Sequence, residues 1–207
     1  MPSIIEQLAG LFRKFPGIGS RQTKRFVYFL LQQDETYVQE LISTIIKVRK
    51  HTHLCKESFQ YFISDNNEIL SPIVRDENRN KKILMVVLKD IDIEMIEKSH
   101  VYMGQYFVLG NFVPIIETRI SDDNVRLPQL LNLIEQRATN DNLQEIILAF
   151  PLNTEGEHTR RYIQTRIEPI VNKYKIKIST LGRGLSTGTE LEYIDNDTFT
   201  SAFETRK

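Results

Sequence analysis

Residues 145–157 read EIILAFPLNTEGE, and this stretch decides the fold class. The apolar run Glu145 to Phe150 has the length and composition of a buried strand. The turn Pro151-Leu152-Asn153 ends the strand, and a long helix is predicted over Glu157 to Tyr174. A strand that leads directly into a helix is the building unit of α/β domains. The sequence around this stretch is therefore expected to continue the same alternation.

The alternation extends to both sides of the stretch. Strands separated by helices imply a parallel sheet with helices on both faces, so the fold class is α/β. A sheet of this kind carries its sites beyond the carboxyl ends of its strands. The further predicted elements, in chain order, are a strand over Ile83 to Leu88, a helix over Ile91 to Lys98, a strand over Tyr106 to Leu109, a helix over Leu127 to Ala138 and a strand over Ile176 to Leu181.

The first 50 residues have the apolar spacing of three helices. The first is predicted over residues 4–15 and the third over Tyr37 to Val48, while Ser20 is the predicted N-cap of the second. The residues expected to face inward are Phe26, Phe29 and Leu30 in the second helix and Val38, Leu41, Ile42, Ile45 and Ile46 in the third.

The segment between the first two helices, Phe15-Pro16-Gly17-Ile18-Gly19-Ser20-Arg21, is typical of a helix-hairpin-helix. Gly17 and Gly19 permit a tight turn and leave no side chain between the backbone amides and a ligand. The free N–H groups that open the next helix then form a phosphate site, with the helix dipole behind them. Basic side chains on that helix are predicted to contact neighbouring phosphates of DNA without reading its sequence; they are Arg21, Lys24 and Arg25. The alternative is an ordinary interhelical turn with solvated basic residues.

The charge distribution agrees with an anionic ligand near the N-terminus. The first 55 residues hold eight Lys and Arg against four Asp and Glu, whereas the remainder holds 19 basic and 23 acidic residues. An excess of positive charge in the first 55 residues, with an acidic remainder, indicates an anion-binding site near the N-terminus, although solvated surfaces could carry the same small excess.

The single cysteine, Cys55, excludes an internal disulfide, and no signal peptide or bilayer-spanning run is visible. A cytoplasmic protein without membrane contact is expected.

Glu155 and Glu157 follow the strand that ends at Phe150. Two carboxylates that open a helix could hold Mg²⁺. They could equally cap the helix, where negative charge is favourable.

In combination these segments resemble the RecR family of bacterial recombination mediators from end to end. The resemblance also uses Tyr106 to Leu109 and the segment Gly182-Arg183-Gly184-Leu185-Ser186-Thr187-Gly188-Thr189-Glu190-Leu191-Glu192-Tyr193. It implies a Rossmann-like Toprim domain, a clamp-like homo-oligomer (a dimer or a tetrameric ring), and cooperation with RecO and RecF on gapped DNA. The implied domains are residues 1–52, a helix-hairpin-helix unit; residues 53–80, a zinc-finger-like module; residues 81–178, the Toprim domain; and residues 179–207, a C-terminal segment.

Two departures from the family pattern change what the resemblance implies. The family's four-cysteine zinc module retains only Cys55, with the other positions falling near Ser58, Asn67 and Leu70. Since structural zinc needs about four ligands, and His51 and His53 do not complete the set, we expect no zinc and no other cofactor. Packing of Phe59, Tyr61, Phe62 and Ile69 is expected to hold the module instead.

The second departure is Leu88, which stands where catalytic Toprim enzymes carry an acid-base glutamate. We therefore predict no catalytic residue, and we assign Glu155 and Glu157 to partner contact. The overall hypothesis is a DNA-binding mediator that promotes recombinase loading on gapped single-stranded DNA. The alternatives are a Mg²⁺-dependent Toprim nuclease or primase-like enzyme and a divergent relative that has lost DNA binding.

Overall fold

The structure is a computed structural model, and it describes residues 3–115 and 125–182. The chain divides into two compact units, Met1–Thr52 and His53–Lys207. The segment Arg183 to Tyr193, which contributes to the family resemblance, lies outside the described residues. Further division of the chain at residues 80 and 178 stays a prediction.

The N-terminal unit contains three helices: α1 (Ile4–Phe12), α2 (Ser20–Gln32) and α3 (Glu35–His51). Ser3 caps α1 in a reciprocal capping box with Glu6, which satisfies two backbone N–H groups. The ring of Phe12 lies 5.8 Å from that of Phe26, so an aromatic contact joins α1 to α2. The buried residues of these two helices are Ala9, Thr23 and Val27.

Three predictions for this unit are wrong. Phe29 of α2 is predicted to face inward, but it is 48% exposed. Gly19, not Ser20, is the N-cap of α2, and Ser20 is the first helical residue. The apolar side of α3 does not face inward, because this helix has no buried residue. Its side chains at Ile42, Ile45 and Ile46 are 47%, 56% and 61% exposed. The spacing identified an apolar stripe correctly, but burial requires a partner surface, and the single chain does not provide one within its described residues.

The middle segment forms a two-stranded sheet of β1 (Thr52–Leu54) and β2 (Tyr61–Ile63), followed by the short helix α4 (Pro72–Arg75). A small core holds it together, made of Cys55, Phe62 and Val74 with Leu70 packed against them. Phe62 therefore packs as predicted. Tyr61 and Ile69 are more than half exposed, so their predicted inward packing is wrong, and Phe59 packs against the larger core of the following sheet.

A four-stranded sheet and its helices account for most of the remaining residues of the C-terminal unit that the structure describes. Its strands are all parallel and lie in the order β4-β3-β5-β6. The predicted α/β class is confirmed, and the element bounds shift by a few residues. The strands are β3 (Asn80–Val87), β4 (Gly104–Val108), β5 (Glu145–Ala149) and β6 (Lys177–Thr180), and the connecting helices are α5 (Asp90–Ser99), α6 (Leu127–Asn140) and α7 (Thr154–Tyr174).

Helices cover both faces of this sheet, as expected for parallel strands. On one face, Met85 and Val87 of β3 pack with Ile93 of α5. On the other face, Leu84 and Val86 pack in a larger core. The α6 and α7 residues of that core are Leu130, Leu133, Ile134, Ile163, Ile167 and Val171. Because alternate β3 side chains point to opposite faces, one apolar run supplies both cores.

Candidate nucleic-acid interface

The hairpin between α1 and α2 presents a bare backbone. Gly17 has φ of +75°, a conformation that residues with a Cβ rarely adopt, so the turn requires glycine there. Gly19 has an ordinary φ of −82°, and a Cβ at either glycine would meet no atom within 4 Å. No intramolecular contact within the described residues therefore demands glycine at position 19. A hydrogen in place of a side chain leaves room for a ligand to approach the backbone.

The amides at the start of α2 are open to such a ligand. Gly19 caps α2 without a side-chain hydrogen bond. The N–H groups of Ser20 and Arg21 have no acceptor among the described residues, as is usual for the first turn of a helix. Together with the positive end of the helix dipole, they form an anion-binding position.

The lysine and arginine side chains of the N-terminal unit are all exposed and unpaired within the described part of the chain. The predicted site residues Arg21, Lys24 and Arg25 are among them, on the first turns of α2. The C-terminal unit differs, since most of the arginines that the structure describes there face a carboxylate; the pairs are Arg75–Glu68, Arg79–Glu97, Arg137–Glu57, Arg160–Glu157 and Arg161–Glu157. The N-terminal unit thus keeps its positive charge available for an external anion.

Two cations beside the hairpin were missed by the sequence analysis. Arg13 is the C-cap of α1, and Lys14 follows it immediately before the turn. Both are exposed, and neither has an ion-pair partner within the described residues. Their position in the sequence, directly before the Pro-Gly turn, was the signal that could have identified them.

The acidic turn lies beyond the carboxyl end of β5, as predicted. Asn153 caps α7, and its side-chain oxygen accepts a 2.8 Å hydrogen bond from the Gly156 N–H. A Cβ at Gly156 would lie 1.9 Å from the carbonyl oxygen of Pro151, so only glycine lets the helix start so close to the turn. The structure thus gives Gly156 a steric role in setting the positions of Glu155 and Glu157.

The two glutamates of this turn have different surroundings. The carboxylate of Glu157 pairs with Arg160 at 2.5 Å and with Arg161 at 3.3 Å, both on its own helix. Hydrogen bonds from Arg160, assisted by Arg161, lower the pKa of Glu157 to about 2. Glu155 is exposed and has no ion pair within the described residues. Of the two, Glu155 is the carboxylate that remains available to an external cation.

The position that resembles the catalytic Toprim glutamate is apolar and inaccessible. Leu88 is 2% exposed and belongs to the larger core of the sheet. Within residues 3–115 and 125–182, no three His, Cys, Asp or Glu side chains lie close enough to hold a metal ion together.

The middle module does not fit the zinc that the family resemblance implies. The sulfur of Cys55 is fully buried and accepts hydrogen bonds from the N–H groups of Ser58 (3.5 Å) and Ser71 (3.3 Å). Leu70, near another expected ligand position, packs against the small core. Burial raises the pKa of the Cys55 thiol, but the hydrogen bonds, chiefly from Ser58, lower it by more, so that it lies below its ordinary value. One thiol held by backbone amides is not a structural zinc site.

Comparison with known proteins identifies the family. The family model described as "RecR, helix-hairpin-helix" matches residues 5–49, which contain the hairpin and its cations. The chain is 32% identical over 202 residues to "Recombination protein RecR" of Prochlorococcus marinus strain MED4, covering 98% of this chain and 94% of that protein. The chain belongs to the RecR family.

Other RecR proteins match over nearly their whole length. The RecR of Tropheryma whipplei strain Twist is 32% identical over 204 residues, covering 99% of this chain and 96% of that protein. The RecR of Staphylococcus aureus strain MRSA252 is 32% identical over 206 residues, covering 99% of this chain and 97% of that protein. The family resemblance predicted from the sequence is therefore confirmed, and it extends across both units.

Proposed function

We propose that this RecR-family chain is a non-enzymatic DNA-binding mediator of recombinational repair. The observation that carries the proposal is the set of exposed, unpaired cations beside the open hairpin amides of the N-terminal unit. Cations and helix N-terminal amides are the groups that proteins use to contact phosphates. Such contacts do not depend on base sequence, which suits a protein that acts wherever a gap occurs.

A homo-oligomeric clamp is the second part of the proposal, and the exposed stripe of α3 supports it. Ile42, Ile45 and Ile46 would remain largely in water in a single chain. A contiguous exposed apolar surface marks an interaction site. A second copy of α3 is a suitable occupant, because two such stripes can pack by symmetric contact of the same surface.

The side chains beyond the carboxyl ends of the strands lead us to propose that the chain has no catalytic activity. Leu88 can neither transfer a proton nor bind a metal, and Glu157 is committed to Arg160 and Arg161. We assign the turn at Glu155 to protein contact, with RecO or RecF as partners that help to load recombinase on gapped single-stranded DNA. The helices in the described residues include none that could span a membrane.

Binding of a duplex oligonucleotide at several salt concentrations tests DNA binding by the hairpin. Arg21→Ala/Arg25→Ala should weaken binding to all sequences alike. It should also reduce the slope of log K against log salt by about 1.8, since each lost phosphate contact removes about 0.9. The control Lys81→Ala/Lys82→Ala removes the same charge from exposed positions of β3 and should leave the slope unchanged. An unchanged slope in the arginine variant would reject the hairpin as the DNA site.

Solution mass tests the clamp. The wild-type chain should sediment as a dimer or larger species, whereas Ile42→Ser/Ile45→Ser should shift it towards the monomer. If the wild-type chain were a monomer at micromolar concentration, the proposed clamp would be wrong. The salt titration would then still test DNA binding by the hairpin.

A further inference from the structure

The C-terminal end of α3 carries a second group of basic side chains: Lys47, Arg49 and Lys50. All three are exposed, and within the described residues none has a hydrogen bond or an ion pair. The hairpin site does not include them, because they lie at the far end of a different helix.

The helix dipole explains only part of this group. Cations are favourable in the last turn of a helix, which contains Arg49 and Lys50, but the effect fades beyond that turn and does not account for Lys47. Lys47 and Lys50 are three residues apart, so they share a face and repel each other. In the described part of the chain no carboxylate pairs with either amino group to offset the repulsion. A ligand with regularly repeated negative charges would offset it.

We propose that Lys47 and Lys50 form a second strip of phosphate contacts for DNA. This inference rests on the proposed DNA-binding function and enlarges its site from the hairpin to α3. Lysine suits this task, since its ammonium is a mobile point charge that contacts phosphate without fixed geometry. The bound DNA is therefore longer than the segment that the hairpin alone would contact.

Lys47 lies on the face of α3 opposite the apolar stripe, and Lys50 lies at the edge of the stripe. Successive helical residues turn by about 100°, which places Lys47 about 200° from Ile45. Lys50 lies about 140° from Ile45 and about 40° from Ile46, so it borders the stripe. Because lysine side chains are long and flexible, both amino groups can extend towards DNA while the stripe packs against a second copy of the chain. Arg49 lies about 20° from Ile42 and about 40° from Ile45, within the stripe itself, so we leave it out of the strip.

The test compares Lys47→Gln/Lys50→Gln with the wild-type chain in salt titrations of oligonucleotide binding. Glutamine is chosen because its helix propensity is close to that of lysine. The slope of log K against log salt should fall by about 1.8 for a duplex, or about 1.4 for a single strand. Lys47→Arg/Lys50→Arg should keep the wild-type slope. The control Lys81→Gln/Lys82→Gln removes the same charge from β3. If the slope fell equally in that control, or did not fall in Lys47→Gln/Lys50→Gln, the proposed phosphate contacts of α3 would be wrong.

Acetylation of lysines in the wild-type protein gives a second test that does not depend on the folding of a variant. A bound oligonucleotide should protect the amino groups of Lys47 and Lys50, while Lys81 and Lys82 remain reactive. If both α3 lysines were acetylated fully in the presence of the oligonucleotide, the proposed phosphate contacts would be wrong. If Arg21→Ala/Arg25→Ala loses binding but the α3 variant does not, the strip fails and the hairpin function stands. If the wild-type chain binds no oligonucleotide, the proposed function itself fails.

Discussion

The backbone N–H of Val108, at the end of β4, donates a 2.8 Å hydrogen bond to the carbonyl oxygen of Ser58 in the middle module. Among the strands that the structure describes, β4 lies at one edge of the sheet, and an uncovered edge leaves backbone groups unpaired. The guanidinium of Arg126 donates to the carbonyl oxygens of both Phe59 and Val108, and the ring of Phe59 lies 5.4 Å from that of Phe107. The module is thus fixed to the sheet by its own polar and aromatic contacts, which gives it a support other than a metal ion.

The module should accordingly fold without zinc. Metal analysis of the purified protein should find well under one zinc per chain, and a strong chelator should leave the melting temperature unchanged, because no metal contributes to folding. Stoichiometric zinc, together with a lower melting temperature in chelator, would show that Cys55 has recruited further ligands.

Removal of the Glu57 carboxylate should loosen the module. Glu57 pairs with Arg137 of α6, whose side chain is only 4% exposed, and the Arg137 Nε lies 3.0 Å from the carboxylate. Glu57→Gln would leave a buried guanidinium poorly paired, and we expect a loss of about 2 kcal/mol in the free energy of unfolding, reduced from the fully buried case because Glu57 is partly exposed. Urea titration measures this loss.

The matched control is Glu68→Gln in the same module. Its partner Arg75 is 45% exposed on the side chain, so this pair should contribute less than about 1 kcal/mol. Equal losses in the two variants would contradict the importance that we assign to the buried guanidinium.

Sequence patterns predicted the elements whose burial is decided within the chain. The sheet and its helices followed from apolar periodicity, because their partner surfaces lie in the same unit. The prediction that Ile45 packs inward was wrong, because apolar periodicity does not show whether a surface that covers the stripe exists in the same chain. Tyr61 was misplaced because a three-residue strand has too few positions to define a face. The pairing of Glu157 was overlooked, although its i+3 and i+4 spacing to Arg160 and Arg161 is a recognised helix pattern.

The stability of α7 should depend on pH through Glu157. The folded-state pKa of about 2 lies below the ordinary value of 4.5, so the ionised carboxylate stabilises the fold above about pH 4.5. This contribution is lost as the pH falls towards 2. Because the ion pairs are local and partly exposed, we expect only about 1 kcal/mol at pH 7. The difference in unfolding free energy between the wild-type chain and Glu157→Gln should therefore shrink between pH 5 and pH 2. A difference that stays constant over this range would contradict the assignment.

Partner binding at the acidic turn should depend on Glu155 more than on Glu157. Replacement of both glutamates with Ala should leave folding and DNA binding intact but weaken binding of RecO, more so at low salt, where exposed charges are least screened. Because Arg160 and Arg161 already neutralise Glu157, the single variant Glu155→Gln should produce most of the loss. Glu168→Gln, an exposed carboxylate further along α7, is the matched control and should bind RecO normally. Calorimetry with purified RecO measures all three variants. If the double variant bound RecO normally but lost a Mg²⁺-dependent cleavage activity of the wild-type chain, the turn would be catalytic and the mediator assignment wrong.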